Sequence, residues 1–249
     1  MTDTLLSALR DLAEPAPATL ADRVVDTWVR VPGPLGEVFA VTGARGVRLL
    51  RPAAHAGDLD AFLEGYRARH GRPVLPATRA PRGLLPALRG SGPGPDLDLG
   101  ELTPFAREVL AVTARIPAGQ TRPYGWVARE AGHPRAVRAV GTVLARNPVP
   151  LLVPCHRVVR GDGDVGQYLS GVADKVALLE REGVALDHLA GLVGSDTTGV
   201  VCFPTCHHAR RITPAHRHGF ASLERARAAG YRPCRDCRPW PPRARSLGL

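Results

Sequence analysis

Lysine is nearly missing from this 249-residue chain: Lys175 stands alone, and arginine supplies the rest of the 33 basic residues. A composition rich in alanine, glycine and proline produces the same bias, so the bias by itself assigns no function. Cysteine is also scarce, with five residues at 155, 202, 206, 234 and 237. An odd number, in a chain without an export signal, argues for reduced thiols used for metal binding or chemistry rather than disulfides. Long apolar runs are lacking. None approaches the roughly 20 residues a membrane helix needs. The opening stretch MTDTLLSALRDLAEP is amphipathic and of mixed charge, without the basic-then-apolar order of a secretory leader. The expectation is a cytoplasmic protein with no membrane partner.

The residues that are present suit a soluble globular protein, 44% hydrophobic and long enough for one large domain or two to three small ones. A formal net charge of +10 suits a polyanionic partner, nucleic acid first. A solvated surface accounts for the charge equally well.

Three zones follow one another. Residues 1–95 open on a helical pattern and continue into EVFAVTGARGVRLL, which reads as two strands around the Gly43–Gly46 turn. RGSGPGPDLDLG, 89–100, marks a linker or long loop. The second zone is 96–186, and residues 101–186 of it read as mostly helical. TPFAREVLAVTARI starts at Thr-Pro and carries an apolar face of Phe105, Val109, Val112 and Ile116. YGWVAREAGH is a short helix stopped by Gly132. PRAVRAVGTVLARNP places Pro134 in a first-turn position, Val137, Val140 and Leu144 on a buried stripe, and a stop at Asn147-Pro148. Two short helices around a turn outline a helix-turn-helix or a plain helical hairpin. The third zone, 187–245, holds four of the five cysteines, and from residue 199 onward ten arginines face Glu224 and Asp236.

CFPTC and CRDC form two close cysteine pairs separated by a medium loop. That spacing supplies Cys202, Cys206, Cys234 and Cys237 to one tetrahedral zinc ion, and no organic cofactor is expected. His207 and His208 read as surface residues, since four thiolates already satisfy the metal. A purely structural staple explains the motif in so small a unit. The stretch SDTTGVVCFPTCHHARR…RAAGYRPCRDCRP also resembles the zinc domain of the bacterial adaptive-response (Ada) family, over residues 190–239. The resemblance implies that Cys202, the first cysteine, is a second acceptor that takes a methyl group from a DNA methylphosphotriester. It departs from that family in order, because here the zinc unit comes last. Nine residues follow Trp240, too few for a further DNA-binding domain, so no transcriptional role is expected.

The fifth cysteine lies in LLVPCHRVV, 151–159, after an apolar run. Burial as an inert thiol and exposure as a nucleophile are both open on these residues alone. The motifs IPAGQTRPYGWVA, RAVRAVG, ARNPVPLLVPCHRVV and KVALLEREG occur in order between 101 and 184. Together they resemble the O6-alkylguanine-DNA alkyltransferase family. PLGEVFAVTGARGVRLL is weakly similar to its N-terminal part.

The resemblance implies that Cys155 is the nucleophile, His156 its base through a bound water, and Glu182 the group that orients His156. It implies that Asn147 fixes the turn presenting Cys155 and that Tyr124 donates a proton to the leaving guanine. Tyr168, Val158, Val159 and Ser170 would line the base pocket, Ser170 replacing the family's usual glycine; Gly171 and Lys175 match. Ala136, Ala139 and Gly141, with Arg135, would lie against the minor groove, and Arg138 would fill the gap left by an extruded base. The implied fold is α+β, with a degenerate ribonuclease-H-like N-terminal domain, a helical winged-helix-type catalytic domain and a small four-cysteine zinc domain. The implied partner is double-stranded alkylated DNA, met by a monomer. A damage-binding module that performs no transfer is the alternative.

Overall fold

The computed structural model describes residues 24–161, 164–186 and 191–239. The opening helical pattern before residue 24, and Trp240 onward, lie outside them.

The structure is a mixed α+β arrangement of several sheets and helices. The first sheet runs β3-β2-β1-β4. Strands β1 (Asp26–Gly33), β2 (Gly36–Gly43) and β3 (Gly46–Pro52) are an antiparallel meander, with Gly43 opposite Gly46 in the expected turn. A short β4 (Val74–Pro76) pairs parallel with β1, so the sheet is mixed. Alternation along these strands buries both faces. Phe39, Val41 and Leu49 pack against Phe62, Leu63 and Tyr66 of helix α1 (Leu59–His70). Asp58 caps α1, accepting from the Ala61 amide, and left-handed Gly71 ends it. The opposite face, with Val29, Val31, Val38, Ala40 and Leu50, is covered by α2 (Leu84–Leu88) and by Leu151 and Leu152. The sheet thus forms the floor beneath the segment that carries Cys155.

Residues 89–100 are largely irregular, held by the Val47–Leu97 bridge. Helix α3 (Pro104–Ala114) begins where its Thr-Pro start places it, the Thr103 hydroxyl accepting from the Ala106 amide. Val109, Val112 and Ile116 are buried as expected. Strand β5 (Arg122–Pro123) leads into α4 (Tyr124–Glu130), and Gly132 (φ +79°) follows it. Helix α5 (Val137–Ala145) differs from expectation at its start. Pro134 sits in the preceding turn, closed by Ala136 N–H to His133 C=O, rather than in the helix itself. Val137, now in the first turn, is 39% exposed, while Val140 and Leu144 are buried. Strand β6 (Val158–Val159) pairs parallel with β5, and α6 (Val172–Arg181) follows.

The last unit is a four-stranded sheet, β10-β8-β7-β9, made of β7 (Leu192–Ser195), β8 (Val200–Cys202), β9 (Arg217–Phe220) and β10 (Arg232–Pro233), with helix α7 (Leu223–Ala228) packed on it. Among the described residues no helix is long and apolar enough to cross a membrane.

Candidate active site and metal centre

Cys155 opens a one-turn 3-10 helix, Cys155–Arg157, and is 4% exposed. Asn147 governs its approach. The Asn147 amide donates to Val153 C=O at 2.9 Å and to Cys155 Sγ at 3.2 Å, while its Oδ1 accepts from the Val149 amide at 3.1 Å. One buried side chain therefore ties together both ends of a six-residue loop. The first sheet holds the same loop from below. Leu50 N–H donates to Pro148 C=O at 2.8 Å, and Arg51 Nη1 reaches Asn147 C=O at 3.1 Å. Within the loop, Leu151 has φ +73°, one of two non-glycine residues in the left-handed region among those described. Such a conformation persists where surrounding packing imposes it.

His156 is 2% exposed. Its Nε2 lies 2.9 Å from Glu182 Oε1, and its Nδ1 is buried with no partner. An ionised carboxylate at Nε2 accepts the ring proton there, which leaves the Nδ1 lone pair as acceptor. Glu182 also accepts from the Gly119 amide at 2.9 Å and from Arg157 through Nε (3.0 Å) and Nη2 (2.8 Å). Burial pushes the Cys155 thiol up, against the Asn147 hydrogen bond and the charge of Lys175. Burial lowers the His156 pKa, against the pull of Glu182. A buried thiol thus sits beside a neutral, oriented imidazole.

For Glu182, burial would raise the pKa, but hydrogen bonds from His156 and Arg157 outweigh it and hold the carboxyl at about 2, against an ordinary 4.5. A depressed pKa stabilises the fold fully above pH ~4.5, and that stabilisation drains away as pH falls toward 2. The gap corresponds to roughly 3 kcal/mol. Glu182→Gln should therefore flatten the acid limb of the stability curve in that window, as read from urea midpoints. An acid limb equal to that of the native protein contradicts the assignment.

The remaining expected residues fall in two places. Around Cys155, burial and the nearby thiol raise the Tyr168 phenol. Val158 and Val159 are buried. Tyr124 begins α4, its phenol also raised by burial. The Ser170 hydroxyl is buried without a partner. Lys175 is fully buried, and Nζ donates to Val158 C=O at 2.6 Å while lying 5.9 Å from the Tyr124 ring centre. Burial lowers its pKa to about 8. Arg135, Arg138 and Ala139 are exposed at and before the start of α5, and Ala136 and Gly141 are half-buried. Sequence reasoning missed Arg157 and Gly119, the two further partners of Glu182. Arg157 sits inside the quoted motif, but nothing in the spacing says that its side chain turns back to residue 182.

The four zinc-type cysteines converge. Their sulfurs all lie within 4.8 Å of one another, and all four residues are buried. Four sulfurs at Zn–S distances of about 2.3 Å stand about 3.8 Å apart in a tetrahedron, so the cluster fits one zinc ion. A divalent ion lets all four ionise together. His207 and His208 lie outside this group, exposed and directed at Asp236 (3.7 and 2.6 Å). Cys202 and Cys234 border a cleft of about 650 Å³ lined also by Thr197, Thr198, Arg211 and Arg232.

Two family models match the chain: "6-O-methylguanine DNA methyltransferase, DNA binding domain" over residues 104–184, and "Metal binding domain of Ada" over 177–239. Residues 104–184 are thus similar to the DNA-binding domain of 6-O-methylguanine DNA methyltransferase. An Ada-type metal-binding domain completes the pair. The methylated-DNA–protein-cysteine methyltransferase of Methanothermobacter thermautotrophicus is 48% identical over 91 residues, 36% of this chain and 51% of that protein. The bifunctional transcriptional activator/DNA repair enzyme Ada of Escherichia coli is 45% identical over 80 residues, 32% of this chain and 23% of that protein. The chain thus spans about half the length of the curated relatives it matches first. The crystal structure of Mycobacterium tuberculosis OGT in complex with DNA superposes at a TM-score of 0.52 and 29% identity, covering 65% of this chain and 96% of that one.

Proposed function

We propose that this chain repairs DNA by moving the alkyl group of O6-alkylguanine, and of O4-alkylthymine, to Cys155 in a single turnover. Cys155 Sγ attacks the alkyl carbon in line as the carbon–O6 bond breaks. The thiol proton passes through a water to His156 Nδ1, and Glu182 balances the imidazolium. Tyr124 gives its proton to the departing guanine. The observation that carries this reading is the buried, unpartnered His156 Nδ1, on a ring whose other nitrogen is held by Glu182 and whose chain neighbour is the buried Cys155 thiol. The thioether is stable, and no described group reverses it, so each Cys155 acts once.

The partner in this reading is alkylated double-stranded DNA, met by a monomer in the cytoplasm. Likeness to a methyltransferase solved with DNA supports the DNA part. Arg138 enters the stack in place of the extruded guanine, with Ala136, Ala139, Gly141 and Arg135 against the minor groove. Tyr168, Val158, Val159 and Ser170 line the base pocket. The domains divide as 1–95 (a degenerate ribonuclease-H-like cap), 96–186 (a winged-helix-type catalytic domain) and 187–245 (zinc). When bound, zinc keeps its cysteines as thiolates. The arginine-lined cleft beside Cys202 suits a phosphate-backbone methyl donor, which makes Cys202 the second acceptor.

The test is peptide mapping by mass after incubation with a duplex carrying one O6-methylguanine. One added methyl on the Cys155 peptide is expected. An unmodified Cys155 peptide, with the lesion bound but intact, would leave the protein a damage-binding module.

A further inference from the structure

The zinc unit and the surroundings of Cys155 meet at Gly119. Its amide donates to Glu182 Oε2 at 2.9 Å, and its carbonyl accepts from Arg210 Nη2. Gly119 has φ +70°, and a Cβ there would lie 2.7 Å from the Glu182 carbonyl and 2.8 Å from the Arg210 guanidinium. Glycine is therefore required twice over, for its backbone and for its lack of side chain.

Arg210 is anchored in turn. It lies on the short turn Ala209–Arg211, and its amide donates to the carbonyl of the zinc-type Cys206 at 3.1 Å. The contact continues along both chains. The Thr121 amide donates to Thr205 Oγ1 at 2.9 Å, one residue before Cys206. Arg122, 4% exposed, lies between the Trp126 and Phe203 rings at 5.5 and 5.7 Å from their centres.

We propose that Arg210 is a positioning residue for the reaction at Cys155: by fixing the Gly119 carbonyl it aims the Gly119 amide at Glu182, and so sets the carboxylate that holds His156. The inference rests on the reading of Cys155 given above. Its physics is local. The two peptide planes at Gly119 are joined only by φ and ψ of the residue with the widest conformational choice. Free of Arg210, the amide swings, and Glu182 loses one of its donors. The zinc unit is then a structural part of the first reaction centre as well as a unit with its own cysteine.

The experiment compares native protein, Arg210→Ala and Arg210→Lys, all checked for zinc content. Two quantities are measured: the rate of methyl transfer from an O6-methylguanine duplex, and the pH profile of Cys155 alkylation by iodoacetamide without DNA. Arg210→Ala should slow transfer on the order of tenfold, the scale of a lost hydrogen bond to a charged group. It should also shift the alkylation profile to higher pH, because a less supported His156 is a weaker base. Arg210→Lys, still able to donate to the carbonyl, should recover part of both. Native rates and profiles in a zinc-retaining Arg210→Ala overturn the proposal. If Arg210→Ala releases zinc, Arg210→Lys decides: a profile still fully shifted, with zinc bound, overturns it. A native protein that accepts no methyl group removes the Cys155 reading instead, while the iodoacetamide profiles still decide the role of Arg210.

Discussion

Cys155→Ala should take up no methyl group from O6-methylguanine at position 155 and leave the lesion intact, while the protein remains folded and still binds the duplex. The fold survives because Sγ is one of two acceptors of the Asn147 amide, and Val153 C=O remains. His156 keeps Glu182, and the loop keeps its bonds to Leu50 and Arg51. Losing one sulfur from a packed site costs about 1–2 kcal/mol, within the ordinary range for single substitutions. An inert core thiol would show that same modest loss with repair unchanged. The two readings that the sequence LLVPCHRVV leaves open are therefore separated by one substitution. The measurement is lesion loss by chromatography of digested DNA beside a thermal melt. Continued demethylation by Cys155→Ala ends the assignment.

Removing the metal should have the other large effect. The C-terminal sheet rests on two small clusters. One is built around the four cysteines, and the other joins Leu192, Val201, Leu223 and Ala226. So little apolar surface does not hold a unit of this size without a staple. Structural zinc in small finger peptides contributes about 10–16 kcal/mol at neutral pH. A chelator, or Cys206→Ser, should therefore unfold this unit and release one zinc per chain, read by metal analysis and far-UV circular dichroism. Retention of the C-terminal fold in zinc-free protein, or much less than one zinc per chain in the native protein, would refute the four-cysteine centre.

Much of this was legible in the residues, for reasons that differ from place to place. The β2–β3 hairpin announces itself through alternation and its Gly43–Gly46 turn. The cysteine cluster follows from two short spacings, since pairs with two or three residues between them can turn onto one ion. Neither cue extends to contacts made at a distance. Strand β4 is three residues long and pairs with a strand more than forty residues earlier, too short for any period to register. Val137 reads as part of a buried stripe, yet the helix starts later than the proline suggests, and its first turn faces outward. Gly119 and Arg157 reach Glu182 across 63 and 25 positions. The left-handed Leu151 is a tertiary effect, imposed by the sheet below it, and no local signal marks leucine for that backbone.

Lys175 carries the chain's sole side-chain amine, and the folded protein conceals it completely beneath Val158 C=O. Amine-directed reagents consequently have no accessible lysine on the native surface. Acylation at position 175 therefore requires the α6 region to open, so its rate with an activated ester reports local breathing around the pocket, without any introduced label.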